Sequence, residues 1–198
     1  MFVGERPATE KILEAFLVSA GIVALAEMGD KTQLLALVLA ARYRRPVPVI
    51  LGIFAATLAN HALAAWLGAG VAAVLGPDAL RWILGLSFLA MAAWTLVPDK
   101  LEGERQQSAR LGAFAATLVA FFLVEMGDKT QIATAALAAR YASIAAVVAG
   151  TTLGMMLADV PAVVFGERIL RRVPAKTVHR FAAASFALLG ALALFNPD

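Results

Sequence analysis

Seven residues, Glu27-Met28-Gly29-Asp30-Lys31-Thr32-Gln33, recur letter for letter as Glu125-Met126-Gly127-Asp128-Lys129-Thr130-Gln131. Each copy carries two carboxylates, an ammonium, a hydroxyl and an amide. Each also stands inside a strongly apolar run: Ala15 to Ala26 and Leu34 to Ala41 around the first, Leu111 to Val124 and Ile132 to Ala139 around the second. Charge in such surroundings is costly and is retained where it has a use. On an uninterrupted helix Glu27 and Asp30 would share a face, as would Glu125 and Asp128. Lys31 and Lys129 would each stand four residues after their own glutamate, as its ion-pair partner. Gly29 and Gly127 leave room beside the acids, either for close helix approach or for a local break that frees backbone carbonyls.

A second polar belt accompanies the motifs. One apolar segment holds Thr57, Asn60 and His61, and another holds Thr151, Thr152 and Asp159. Flanking glycines align His61 with Asp159. The triplets Leu58-Ala59-Asn60 and Leu157-Ala158-Asp159 align Asn60 with it instead, after a slip of one residue, and this second alignment is preferred because both residues offer a carboxyl-type oxygen.

Glu27, Asp30, Glu125, Asp128 and Asp159 outnumber Lys31 and Lys129, so a site built from these residues favours a cation. Carboxylate, amide and hydroxyl oxygens with no cysteine suit hard divalent ions such as calcium, manganese or magnesium. An inward-facing His61 would tilt the choice toward manganese; taken alone, a single histidine is more simply a packed helix residue. Zinc and copper usually draw more nitrogen or sulfur. The candidate ligands are therefore Glu27, Asp30, Glu125 and Asp128, followed by Asn60, Asp159, Thr32, Thr130, Gln33 and Gln131. The lysines read as ion-pair partners, since an ammonium repels a cation. A buried carboxyl that loses its cation gains by taking up a proton, so metal and proton compete for one place. If that place faces each side of a membrane in turn, a divalent cation exchanges for protons.

The elements that must position these groups are apolar and long. The chain has 198 residues, 61% hydrophobic and 16% charged, well to the apolar side of soluble domains. Six apolar segments, at 12–41, 47–75, 80–97, 111–139, 143–165 and 178–195, have lengths near the roughly 20 residues that cross a bilayer. An all-α integral membrane protein of six transmembrane helices follows, because a spanning segment must satisfy its own backbone hydrogen bonds. Pro46, Pro48, Pro77, Pro98, Pro174 and Pro197 mark junctions. Trp66, Trp82 and Trp94 read as packing or interface anchors. Ala24-Leu25-Ala26 imitates a signal-peptide cleavage site, but cleavage there would destroy the first motif; the segment is read as retained.

The two halves repeat at an offset of 98 residues. Beyond the heptapeptide, Leu39-Ala40-Ala41-Arg42-Tyr43 matches Leu137-Ala138-Ala139-Arg140-Tyr141, and Gly52 and Gly68 fall on Gly150 and Gly166. The organisation is a three-helix repeat over 1–98, a linker over 99–110 and a second repeat over 111–198. Three segments per half invert the second half relative to the first, as in many secondary transporters. The two motif segments then run antiparallel and can bring four carboxylates together near the midplane. Arg42, Arg44 and Arg45, then Lys100, Arg105 and Arg110, then Arg168, Arg171, Arg172, Lys176 and Arg180 lie on one side. Only Arg6, Lys11, Arg81 and Arg140 lie on the other. The positive-inside rule puts the linker in the cytoplasm and both termini outside.

Two Glu-x-Gly-Asp-Lys-Thr motifs at this spacing, in a six-segment chain of this length, resemble the Gdt/MneA family of cation/proton exchangers, the family of the human Golgi transmembrane protein 165. The resemblance covers essentially the whole chain. It implies export of Mn2+, or Ca2+ in some members, from the cytosol in exchange for protons, with the metal as transported substrate and no prosthetic group. It also implies that Glu27, Asp30, Glu125 and Asp128 are the cation-binding acids and that Asn60 and Asp159 are the accompanying polar positions. The short lead before the first segment is similar to that of bacterial members in the cytoplasmic (inner) membrane. The partners implied are the metal ion, protons and the lipid bilayer, with no nucleic acid; the oligomeric state stays open. An exporter of basic amino acids or other organic cations is the alternative transporter. An enzyme is not expected, as there is no HExxH signature, Ser/His/Asp set or phosphate-binding glycine loop.

Overall fold

The computed structural model describes residues 7–97, 112–141, 143–166 and 175–195, and among these every regular element is an α-helix. The order is α1 (Ala8–Glu27), α2 (Lys31–Tyr43), α3 (Pro46–Val74), α4 (Pro77–Thr95), α5 (Ala113–Glu125), α6 (Lys129–Tyr141), α7 (Ile144–Phe165) and α8 (Ala175–Phe195). The central linker expected at 99–110 and most of the basic loop at 168–174 lie outside the described residues.

The first and fourth apolar segments are each two helices joined at a motif. Met28 and Met126 leave the helical region, and Gly29 and Gly127 take φ values of 83° and 75°. Glycine adopts that left-handed conformation without the penalty other residues meet. Beyond the break Asp30 caps α2, its Oδ1 accepting from the Lys31 amide at 2.6 Å. Axes α1 and α2 differ by 72°. The break, the second of the two roles foreseen for the glycines, removes the continuous helix on which Glu27 and Asp30 would have shared a face.

Three of the four pairs of helix starts repeat at the offset of 98, namely Lys31 and Lys129, Pro46 and Ile144, and Pro77 and Ala175, whereas α1 begins seven residues earlier than the start of α5 would place it. Packing repeats with them. Helix α7 lies along α1, where Gly150 meets the Phe16 carbonyl and Ser19. Helix α3 lies along α5, where Gly52 meets the Phe114 carbonyl and Thr117. A side chain at either glycine would drive the helices apart, so small residues set these crossings. The alignment needs no slip. His61, not Asn60, is therefore the counterpart of Asp159, contrary to the preferred sequence alignment; the helix starts and glycine contacts outweigh a matching triplet. Proline marks the starts of α3 and α4, but Pro161 lies inside α7.

Polarity is reversed relative to a water-soluble protein. Glu27, Asp30, Glu125, Asp128, Lys129 and Asp159 are buried, whereas Trp66, Trp82, Val74 and Phe195 are exposed. An apolar surface around a polar interior is what a bilayer solvates. By length and hydropathy α3, α7 and α8 are each able to cross a membrane, and the bent pair α1–α2 makes a fourth candidate.

Candidate cation site

Both motifs meet in the interior. One carboxylate oxygen from each of Glu27, Glu125 and Asp128 lies within 4.8 Å of the others, and all three residues are buried. Two oxygens on opposite sides of one divalent ion stand about 4 to 5 Å apart, so this cluster has the span of a single ion's ligands.

Each motif also builds its own support. Thr32 Oγ1 donates to Glu27 Oε2, and Thr130 Oγ1 donates to Glu125 Oε2 at 3.2 Å. These bonds hold one oxygen of each glutamate, while Oε1 of each is buried with no hydrogen-bond partner. Gln33 Oε1 accepts from the Gly29 amide at 2.9 Å, and Gln131 Oε1 accepts from the Gly127 amide at 2.7 Å. Those amides have lost their helical acceptors at the break, and the glutamine two residues into the next helix replaces them. Gln33 Nε2 also donates to the Ala158 carbonyl at 2.8 Å, tying α2 to α7 beside Asp159. The threonines and glutamines thus brace the acids and the turns.

The ion pairs cross between the halves. Lys31 Nζ lies 2.6 Å from Asp128 Oδ1, and Lys129 Nζ lies 2.6 Å from Asp30 Oδ2. Pairing of each lysine with its own glutamate, expected from helical spacing, is overturned. The helix stops between Glu27 and Lys31, so four residues no longer make one turn, and each lysine projects into the opposite motif. The aspartates take the ammonium groups, and the glutamates take hydroxyls, the Thr130 hydroxyl also lying 3.4 Å from Asp128 Oδ2. The two pairs differ in exposure: Lys31 is 24% exposed at its side chain, Lys129 only 1%.

The second belt is equally buried. Both oxygens of Asp159 lack hydrogen-bond partners, and Asp159 lies within electrostatic reach of Glu27 and Glu125. Asn60 Nδ2 donates to the Phe122 carbonyl at 3.0 Å, which leaves its Oδ1 unpartnered. Two buried hydroxyls elsewhere in the interior are not singled out by the motifs. Ser19 and Thr117 are buried hydroxyls without partners at the two glycine crossings, and their shared offset of 98 is the signal that could have found them. His179 Nε2 lies 2.9 Å from the Met28 carbonyl, so α8 touches the first break. Nothing in its surroundings in the sequence marks that contact.

Apolar helices enclosing buried carboxylates contributed by two broken segments define a membrane transport protein for cations. A family model described as divalent cation/proton antiporter GDT1 matches residues 15–103 and 113–197. The chain belongs to this family, a family of transporters and not of enzymes. A Vibrio cholerae protein named "Putative manganese exporter" is 53% identical over 188 residues, covering 94% of each chain. A GDT1-like protein of Synechocystis is 29% identical over 197 residues, covering 89% of this chain and 95% of its own. The GDT1-like protein 5 of Arabidopsis thaliana is 26% identical over 224 residues, covering 94% and 97%. No solved structure matches the chain.

Proposed function

We propose that this chain exports Mn2+ from the cytoplasm in exchange for protons, with Ca2+ as a second substrate, across a bacterial cytoplasmic membrane. The observation that carries this reading is the buried meeting of Glu27, Glu125 and Asp128, in which both motifs supply oxygens to one ion-sized cluster. Manganese is favoured by the printed name of the Vibrio cholerae relative, and an oxygen-rich site without thiolates suits Mn2+ and Ca2+ alike. A cluster this tight suits a compact ion over an amino acid or another organic cation.

The working unit is six spans in two inverted repeats, 1–98 and 111–198, with 99–110 cytoplasmic and both termini outside. Support comes from the repeated helix starts and from the uneven distribution of arginine and lysine. Glu27 and Glu125 are the principal ligands, with Asp30 and Asp128 exchanging lysine for metal as the site fills. Asp159 and the Asn60 oxygen line the approach. When the cation leaves, the buried carboxylates regain neutrality by protonation, which couples the two fluxes.

The test is Mn2+ and Ca2+ flux in proteoliposomes under an imposed pH gradient. Glu27→Gln and Glu125→Gln should each abolish transport. Full activity in either variant, or metal movement with no proton movement under any gradient, would overturn the shared exchange site.

A further inference from the structure

His61 is fully buried, and neither ring nitrogen has a hydrogen-bond partner. Buried imidazole nitrogens are almost always partnered. The register of α3 indicates what the ring faces. Gly52 meets Phe114 and Thr117 near the start of α5. Asn60 donates to the Phe122 carbonyl, in the last turn of α5. Gly68 packs on the Ala135 backbone of α6, where a Cβ would overlap the Ala135 carbonyl. Helix α3 therefore runs in the same sense as α5 and α6 and passes their break between Asn60 and Gly68.

Seven residues, about two turns, separate His61 from Gly68, so both lie on the face turned to α6. Seven residues before Ala135 is Asp128, at the head of α6. The register thus puts His61 on the face of α3 turned to the break that carries Asp128. The internal repeat agrees. His61 is the counterpart of Asp159, whose own oxygens are unpartnered and which acts on both glutamates. Where one half offers a carboxylate, the other offers a nitrogen.

We infer that His61 is the nitrogen donor of the cation site and sets its preference for manganese over calcium. The inference rests on the carboxylate site proposed above and deepens it. Imidazole binds first-row transition ions well, whereas calcium is held by six to eight oxygens. Replacing His61 with an oxygen donor would give both halves the same hard ligands and remove the advantage of manganese.

Competitive Mn2+ and Ca2+ uptake by proteoliposomes, with His61→Asn and His61→Asp beside the unsubstituted protein, tests this. Both variants should lower the Mn2+ to Ca2+ ratio by about tenfold or more. An unchanged ratio, or equal loss of both fluxes, overturns the inference. Should the variants fail to fold, electron spin-echo spectroscopy of Mn2+ bound to the unsubstituted protein decides. Coupling to a directly bound 14N nucleus is expected, and its absence overturns the inference. Glu27→Gln and Glu125→Gln in the same experiment separate the two proposals. Loss of their transport with an unchanged ratio in the His61 variants refutes the histidine alone; transport that survives in them refutes the carboxylate site and this inference with it.

Discussion

Lys129 Nζ sits 2.6 Å from Asp30 Oδ2, and both residues are sealed from solvent although each belongs to a different motif. With the matching contact of Lys31 to Asp128, this forms a reciprocal pair of bridges between the two broken segments. The bridges neutralise the aspartates and hold the two turns face to face. They also offset the charge of two of the buried acids in an apolar interior.

Removing one partner of such a pair leaves a buried charge without compensation. Lys129→Met is expected to destabilise the protein by about 3–5 kcal/mol, and the double change Lys129→Met with Asp30→Asn should recover most of that loss. Lys31→Met should cost less, because the side chain of Lys31 is 24% exposed and this pair is the less sealed of the two. Denaturation in detergent micelles, read as a double-mutant cycle, checks the order. Equal losses for the two lysines would contradict the sealed character of the Lys129 pair.

Packing of α3 makes a sharper comparison between two glycines. Gly68 meets the Ala135 backbone with no room for a Cβ, whereas a Cβ at Gly70 would meet nothing within 4 Å. Gly68→Ala should cost about 1–3 kcal/mol by forcing α3 from α6. Gly70→Ala should be neutral or stabilising by about 0.5–1 kcal/mol, since alanine suits a helix interior better. Thermal unfolding of the two variants settles the matter, and tolerance of Gly68→Ala would contradict the close crossing.

Metal affinity should fall as pH falls. The carboxylates must be deprotonated to bind the ion, so binding displaces protons, and each displaced proton weakens affinity by roughly tenfold per pH unit over the range in which it competes. Calorimetric titration with Mn2+ in buffers of different ionisation enthalpy counts the protons released. A heat independent of the buffer would mean that none is displaced, and exchange would lose its basis.

The contact of His179 with the Met28 carbonyl has no counterpart of the same kind, because the residue at the matching position is Arg81, which approaches Asp78 at 3.8 Å. Met126 at the second break is 52% exposed. His179→Ala should therefore loosen one break only, at a cost of about 1 kcal/mol. Hydrogen exchange should quicken at residues 28–30 and stay unchanged at 126–128. Equal quickening at both would show that α8 does not act locally.

The amino-acid order alone determined much of this protein. An apolar composition cut by proline and charge specified helices, and two identical heptapeptides singled out the carboxylates that the fold brings together. These features are local, written in residue type and spacing. Which groups pair was decided by tertiary structure. Helical spacing joined Lys31 to Glu27, but the turn at Gly29 ended the helix, and only the approach of the second motif gave the lysine its aspartate. The alignment of His61 with Asp159 was likewise ambiguous in sequence. The glycine crossings of α3 on α5 and of α7 on α1 settled it, because close packing admits one register. Contacts made across the chain depend on how helices meet, and no local pattern encodes the contact of His179 with Met28 or the sealing of Lys129 against Asp30.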